Sequence, residues 1–293
     1  MDLLLQLVVN GLVNGALFGL LACAFGLVYR SLRIFHVAFA GLFLVAPYAA
    51  WSAQAALGLP LWAAVGLGLA AAGLAGLAIE HVLYRPLFRR KTSGGAVIVA
   101  SLGAYIIIQN VIALIFGNEI MSFDRGMATR FSLGSVGLTS IQLMQFALSI
   151  VVLAGFALAI RRIRLFKIVW AMGDEPELVP VLGLPLMRYR ALVFVVTGVL
   201  AGLAACLIAV DVGIDPHMGM SYLLVAAVAV LAGGIDRFSG WVLGALVLAL
   251  LQSLMVWQFS ARWMDLVTFG VLILILLFRP QGMLGLRKRL EEA

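Results

Sequence analysis

Nine apolar segments fill most of the 293-residue chain, and their lengths restrict it to one class of fold. A helix needs about 20 mostly apolar residues to cross a bilayer, because its backbone groups must be hydrogen-bonded internally where water is absent. The segments cover approximately residues 5–29, 37–57, 61–83, 96–117, 140–160, 191–211, 221–234, 240–258 and 264–278. Only 11% of the residues are charged, which leaves no soluble domain between the segments.

The sequence therefore predicts an all-α, polytopic integral membrane protein in which residues 1–293 form a single transmembrane domain. About nine helices (between eight and ten) are expected to cross the membrane or to insert partly into it. The seventh segment is short and runs into Gly233-Gly234, which favours a broken or partly inserted helix. The lipid bilayer is its first expected partner.

The basic residues predict the orientation. With the N-terminus outside, 17 of the 20 Lys and Arg residues fall in the inner segments 30–36, 84–95, 161–190, 235–239 and the tail from 279. Only Arg125, Arg130 and Arg262 fall outside. Lys and Arg favour cytoplasmic loops, so the N-terminus is expected outside and the C-terminus in the cytoplasm. The net charge of +7 then reflects topology, and a nucleic-acid partner is not expected.

The start of the chain and its two cysteines bear on processing and redox chemistry. Met1-Asp2 provides no basic region before the first apolar run, so we expect that segment to be retained rather than cleaved as a signal peptide. Cys23 and Cys206 both lie inside apolar segments, which favours small core residues over a disulfide.

The largest inner loop, residues 161–190, contains an unusual concentration of charge for so apolar a chain. Its acids are Asp174, Glu175 and Glu177. Asp174-x-x-Glu177 is typical of a helix N-cap with an acid at the third position, and Gly183 followed by Leu184-Pro185 is typical of a helix end. The pattern predicts a helix of about two turns between them.

One face of that predicted helix is apolar, with Leu178, Val181 and Leu182 at helical spacing. So short a helix is not stable alone, so it either packs on the protein's own spans or docks into a partner. Pattern alone favours the first of these. Pro180 lies inside the helix, where its ring and missing N–H are expected to shorten or bend it.

Polar residues within the spans are candidates for a transport path. Asn10 and Asn14 lie one turn apart on the first span, and Gln109 and Asn110 lie on the fourth. Amides in hydrocarbon must find partners in any case, so bonding between helices is the simpler interpretation. Glycines at helical spacing are expected to let helices approach closely; they are Gly11, Gly15, Gly19, Gly233, Gly234, Gly240 and Gly244.

The remaining titratable residues suggest little chemistry. Glu80 is expected to form an ion pair or hydrogen bond at the inner interface close to Arg85, and a proton-coupling role is the lesser alternative. Asp211 and Asp215 lie near the outer end of the sixth span and are interpreted as solvated loop acids, with contact to a substrate ammonium or to the delivering protein as the lesser alternative. His81 and His217 have no neighbouring ligands at metal-binding spacing. No phosphate-binding loop or nucleophile elbow occurs, so we expect neither ATP binding by this chain nor an intramembrane enzyme.

Motifs along nearly the whole chain resemble one family. The inner loop has the arrangement G-D-x-P-E-L-x-x-x-L-G, which is similar to the cytoplasmic coupling loop of ABC importer permeases. The ordered set most resembles the permeases for uptake of branched-chain (hydrophobic) amino acids. It comprises Asn10-Gly11, residues 24–29 (AFGLVY), 80–86 (EHVLYRP), Gln109-Asn110, 215–219 (DPHMG), 231–235 (LAGGI) and 279–285 (RPQGMLG).

This resemblance implies a permease subunit that brings branched-chain or hydrophobic amino acids into the cytoplasm. It implies a bacterial inner (plasma) membrane location, two ATP-binding subunits, a second permease chain in a homo- or heterodimer, and an extracytoplasmic solute-binding protein. No cofactor is expected in this chain, since ATP and magnesium would bind the partner subunits. The ATPase-coupling loop would comprise Asp174, Glu175, Glu177, Leu178, Val181, Leu182 and Gly183.

The chain departs from the family pattern where the second span begins. Family members commonly carry an Asn-Phe-Ala-His-Gly-like stretch there, whereas this chain has His36-Val37-Ala38-Phe39-Ala40. If the stretch borders the transport path, His36 is a further path candidate and the substrate differs from the family norm. An ion-coupled secondary transporter is the alternative function, because the Gly233-Gly234 break suits such folds. Against it, no acid lies convincingly at mid-membrane. A channel is a weaker third option.

Overall fold

The structure of the protein is a computed structural model that describes residues 2–124, 129–133, 136–260, 263–279 and 281–285. Of the basic residues used for orientation, Arg125 and Arg262 lie outside this range, as do Arg287, Lys288 and Arg289 of the tail. The elements in order are α1 (Asp2–Leu32), α2 (Phe39–Leu57), α3 (Leu61–Ile79), a π-helical turn (Glu80–Tyr84), α4 (Arg85–Arg89), α5 (Gly94–Phe116), β1 (Arg130–Leu133), β2 (Val136–Thr139), α6 (Ser140–Arg162), α7 (Arg164–Asp174), α8 (Leu178–Val181), α9 (Leu186–Val212), α10 (Gly219–Gly233), α11 (Phe238–Gln258) and α12 (Met264–Phe278).

Each of the nine predicted apolar segments coincides with a helix, so the prediction of an all-α polytopic membrane protein is confirmed. Within the described residues, seven helices are long and apolar enough to cross a membrane. The apolar helices α10 and α12 are shorter, with 15 residues each. One feature was not expected: β1 and β2 form an antiparallel hairpin in the loop between α5 and α6. It is held to α1 by Gln6, which bonds both backbone groups of Gly137.

Helix α1 is the centre of the bundle. It contacts α11 most extensively and also packs on α6, α7, α9 and α10, while α3 packs between α2 and α9. Leu20, Leu21 and Phe25 of α1 are completely buried. A chain with so few polar side chains buries a helix on all sides by using small residues where backbones meet.

The glycines predicted to allow close helix packing lie at such contacts. A Cβ added to Gly11 or Gly15 would come within 3.2 Å of the α-carbon of Leu250 or Leu246 on α11. Gly19 faces Leu153 of α6. On α11, Gly240 and Gly244 face α10 backbone atoms, so α10 and α11 nearly touch, and Gly233 faces Gly240 in return. Gly234, just past the end of α10, faces the backbone of Leu284 and Gly285 instead.

Candidate coupling surface and solute cavity

The inner loop between α6 and α9 folds into two helices rather than one. Helix α7 occupies Arg164–Asp174 and α8 has only four residues, Leu178–Val181. The prediction that Asp174 caps the start of the loop helix is wrong, because Asp174 is the last residue of α7. Glu177 occupies the N-cap position of α8, without a side-chain capping bond. The loop helix was predicted to have about two turns, whereas α8 has only one.

Two physical causes explain this difference. Pro180 has no N–H, and in a continuous helix its ring would clash with the carbonyl oxygen of Pro176. Helix α8 therefore cannot extend back towards Asp174. The upstream residues Phe166, Val169 and Met172 are buried on one face of α7, which stabilises a helix there instead. The shortening that Pro180 was expected to cause is therefore present.

The carboxylate of Asp174 binds α1 instead of capping a helix. Arg30 Nη2 lies 2.9 Å from both Asp174 oxygens, and Arg30 Nε lies 3.2 Å from Asp236 Oδ1 in the loop between α10 and α11. The Arg30 guanidinium also lies 5.9 Å from the ring centroid of Trp170 on α7. The Arg30 side chain is only 6% exposed, so these contacts are partly shielded from water. Arg30 thus joins α1, α7 and the α10–α11 loop.

Gly173 makes this junction possible. A Cβ at this position would collide with the backbone carbonyl and Nη1 of Arg30, so only glycine lets α7 approach α1 so closely. The carbonyl of Gly173 in turn accepts a hydrogen bond from Arg33 Nε at 3.2 Å. The pattern G-D at 173–174 therefore reflects a packing contact as well as the family motif.

Helix α8 presents an apolar edge away from the protein. Leu178, Val181 and Leu182 are 54%, 80% and 73% exposed, while Val179 is buried and attaches the turn to the bundle. The predicted end of the helix at Gly183 is confirmed: its φ is +74°, and Leu184 N–H donates to Val179 O as in a Schellman motif. Glu175, like Glu177, is exposed beside this edge.

Downstream of α8, the first turn of α9 is fixed by a buried ion pair. Arg190 Nε lies 2.9 Å from Glu80 Oε1, and the two side chains are 3% and 1% exposed. The Arg190 guanidinium also lies 4.3 Å from the ring centroid of Phe88. The ion pair expected for Glu80 exists, but its partner is Arg190 rather than Arg85. The π-helical turn at Glu80 adds one residue to α3, which redirects the side chains that follow.

A cavity of about 370 Å³ with both polar and apolar walls lies inside the bundle, at the end of α1 that is remote from α7 and α8. Asn10 and Asn14 line it, together with Gln145 of α6 and Gln252 and Ser253 of α11. The three residues on α6 and α11 were missed as path candidates. Asp211, Tyr222 and the apolar residues Leu17, Phe18 and Ile208 complete much of the wall.

Several of these amides already have protein partners. Gln252 Nε2 donates to Thr268 Oγ1 at 2.7 Å, and Gln145 Nε2 donates to Leu207 O. Asn10 accepts from Gln6 Nε2 at 3.0 Å, within its own helix rather than across helices. The cavity therefore combines fixed amide groups with apolar walls, which suits a solute that has both a polar end and an apolar side chain.

The other predicted path residues lie elsewhere. His36 is completely buried, where its Nδ1 is 2.7 Å from Tyr84 Oη and its ring meets Phe39 and Phe194 edge-on. Gln109 Nε2 is 2.6 Å from Nδ1 of His217, which lies between α9 and α10. Asn110 is exposed and bonds only to its own helix, at Ile106 O, among the bonds of the described residues.

Among the described residues, no group of three or more His, Cys, Asp or Glu side chains is arranged to hold a metal ion. Asp215 accepts a hydrogen bond from the backbone N–H of His217 at 2.6 Å, in a turn between α9 and α10. Asp215 therefore lies in a loop, as expected, but it is half-buried rather than fully solvated.

Comparison with known proteins gives a consistent result. Residues 7–276 match the family model described as branched-chain amino acid transport system / permease component. The chain is 30% identical to the high-affinity branched-chain amino acid transport system permease protein BraD of Pseudomonas aeruginosa, with 96% of this chain and 95% of the relative covered. It is 26% identical to the permease protein LivH of Escherichia coli, over 96% and 95% of the two chains.

A solved structure shows the same fold at low identity. PsaBC from Streptococcus pneumoniae, in complex with Fab, matches with a TM-score of 0.53 and 15% identity, over 93% of this chain and 91% of the matched chain. The family match covers all the spans as well as the inner loop that contains α7 and α8. The chain belongs to the family of branched-chain amino acid transport system permease components.

Proposed function

We propose that this chain is the membrane-spanning permease of an ATP-driven importer, and that α8 is the contact through which an ATP-binding subunit moves it. The observation that carries the proposal is the exposed apolar edge of Leu178, Val181 and Leu182 on the inner loop. Water-exposed apolar groups at the end of a fixed loop favour burial against a partner. The junction at Arg30 connects that contact to the central helix α1.

The proposed orientation places the N-terminus outside and α7, α8 and the C-terminus in the cytoplasm of a bacterium, in the inner membrane. The distribution of Lys and Arg supports it, because 17 of 20 then lie on the inner side. About nine helices would cross or enter the membrane, with α10 and α12 as the shortest. Two ATP-binding subunits, a second permease chain and an outer solute-binding protein would complete the transporter, and ATP and magnesium would bind the partners.

The proposed solute is a branched-chain or other hydrophobic amino acid, as in the names of the relatives BraD and LivH. The polar end of the solute would contact Asn10, Asn14, Gln145 and Gln252, and its side chain would contact the apolar wall of the cavity. The proposal leaves His36, Gln109 and Asn110 out of this cavity. The family result does not favour the ion-coupled transporter, and within the described spans the buried Glu80 is paired with Arg190.

The test is ATP-driven uptake by the complete transporter in liposomes, with solute-loaded binding protein outside. We expect Leu182→Asp to abolish uptake and the stimulation of ATPase activity by the binding protein, since a charge would be buried at the contact. Ile163→Asp is the matched control, because Ile163 is an exposed apolar residue of the same loop outside α8. Gly183→Asp is expected to uncouple as well, since φ is +74° there.

Two outcomes would overturn the proposal. Uptake by the chain alone, driven by an ion gradient without ATP, would support a secondary transporter. Equal coupling in Leu182→Asp and Ile163→Asp would show that α8 does not form the contact. For the cavity, Asn14→Leu should weaken uptake while leaving basal ATPase activity unchanged.

A further inference from the structure

A second, larger cavity lies at the inner end of the bundle. It has a volume of about 770 Å³ and is bounded by the segment after α1, the turn between α4 and α5, and the start of α9. Its lining includes the apolar residues Leu32, Phe35, Leu87, Phe88 and Ile98. Its rim is basic, with Arg33, Arg89 and Lys91. None of these residues belongs to the coupling edge of α8 or to the amide cavity.

Two of the three rim cations have an unusual backbone conformation. Arg33 has a φ of +54° and Lys91 a φ of +49°, and they are the two non-glycine residues with positive φ in the described chain. Lys91 ends α4 in a Schellman arrangement, with Lys91 N–H to Phe88 O and Thr92 N–H to Leu87 O both at 3.1 Å. Glycine adopts this conformation most easily, so a lysine is a costly choice for the turn alone. Strained residues of this kind cluster at ligand-binding positions.

The rim has an excess of positive charge. Arg190 is neutralised by Glu80, and Arg33 is shared between Asp174 and Asp236 at 3.8 and 3.7 Å. In the part of the chain that the structure describes, no ion pair engages Arg89 or Lys91. Glu177 is the acidic side chain in the lining.

The start of α5 adds to the positive potential. Gly94 lines the cavity, and the N-cap residue Ser93 makes no side-chain capping bond. The N-terminal N–H groups of this 23-residue helix therefore have no side-chain cap. A Cβ at Gly94 or Gly95 would meet open space, so the backbone here is accessible to a ligand.

We propose that this cavity binds the phosphate of an anionic phospholipid headgroup from the cytoplasmic leaflet. The charges would hold the phosphate at Arg89, Lys91 and the start of α5. An acyl chain would continue along α5, where Ile98, Leu102 and Ile106 form an exposed apolar stripe at helical spacing leading away from the rim. A free phosphate would satisfy the charges but leave the apolar part of the cavity lining without a partner. The inference rests on the proposed orientation, which places the rim at the inner surface.

The experiment measures phospholipid that co-purifies with the complete transporter from membranes rich in phosphatidylglycerol, by native mass spectrometry. We expect bound phosphatidylglycerol to fall about fivefold for each cation removed in Arg89→Gln and Lys91→Gln. Lys91→Gly should lose the same lipid while easing the turn, so that misfolding cannot explain the loss. Arg90→Gln is the matched control, because Arg90 is an exposed neighbour that does not line the cavity.

Three results would overturn the proposal. Equal lipid loss in Arg90→Gln would show general attraction to the basic inner surface. Displacement of the lipid by millimolar inorganic phosphate at constant ionic strength would assign the site to a free anion. Lipid bound to the isolated chain but absent from the complete transporter would assign the cavity to a partner subunit. The readout is bound lipid rather than transport, so failure here is distinguishable from failure of the proposed function.

Discussion

The buried pair of Glu80 and Arg190 should contribute strongly to stability only while both partners are present. Their side chains are 1% and 3% exposed and are joined by bonds of 2.9 and 3.4 Å. Removing one partner leaves a buried charge without compensation, which typically costs about 3–5 kcal/mol. Replacing both by apolar residues of similar size is often close to neutral. We therefore expect Arg190→Met to be severely destabilising, and Glu80→Met/Arg190→Met to recover most of the loss.

The assay is thermal unfolding of the purified chain in detergent, followed by the monodisperse fraction on size-exclusion chromatography. At about 2–4 °C per kcal/mol, Arg190→Met should lower the midpoint by roughly 6–20 °C. Arg188→Met is the control, since Arg188 is exposed on the same turn and should change the midpoint by less than about 2 °C.

The double-mutant cycle decides the result. Additive effects of Glu80→Met and Arg190→Met would mean that the two side chains are not coupled, and would refute the reasoning. A double variant more stable than Arg190→Met alone supports it. The cation–π contact of Arg190 with Phe88 is lost in both variants that lack the arginine, so it cancels in that comparison.

Three further predictions concern single positions. Gly173→Ala should lower stability by about 1–3 kcal/mol and uncouple ATPase activity from uptake, because the added methyl group would overlap Arg30. The control is Gly155→Ala, at a position in open space on α6. This variant should be neutral or stabilising in the same melting assay. Gly244→Ala should also destabilise the protein, since backbone atoms of α10 occupy the space that the added methyl group would need. Equal melting temperatures for this variant and Gly155→Ala would contradict the close contact between α10 and α11. Burial lowers the pKa of His36 to about 3 from its ordinary 6.5. Below about pH 6.5 the His36 imidazole therefore binds a proton in the unfolded chain but not in the folded chain. Stability should consequently fall by about 2 kcal/mol between pH 7.5 and 5, and His36→Asn should remove that part of the pH dependence.

The sequence was sufficient for the spans, for the helix end at Gly183 and for the apolar residues of α8, because each depends on local periodicity or local backbone conformation. It was not sufficient for the exposure of that apolar edge, since pattern alone favoured packing against the spans. It was insufficient where a distant residue competes for a side chain. Asp174 has a good local pattern for an N-cap, yet Arg30 lies 144 positions away and binds it. Glu80 pairs with a residue 110 positions away rather than with its neighbour Arg85.

The amide cavity illustrates the same limit. Asn10 and Asn14 share one face of α1, so their proximity was predictable. Gln145 and Gln252 approach them from α6 and α11, and no spacing along the chain encodes that meeting. A list of uncharged amides inside apolar segments would have included both glutamines, which is the signal that was available.

The geometry of α9 has a mechanical consequence. Arg190 fixes the N-terminal end of this helix to Glu80, while Ile208 and Asp211 near its C-terminal end form part of the amide cavity. The distance along the helix from Arg190 to Asp211 is about 32 Å at 1.5 Å per residue. A tilt of about 5° around the fixed end would therefore move the cavity wall by about 3 Å, close to the width of a water molecule. A rotation too small to disturb the packing near the pivot is thus enough to open or close the space for a solute at the far end.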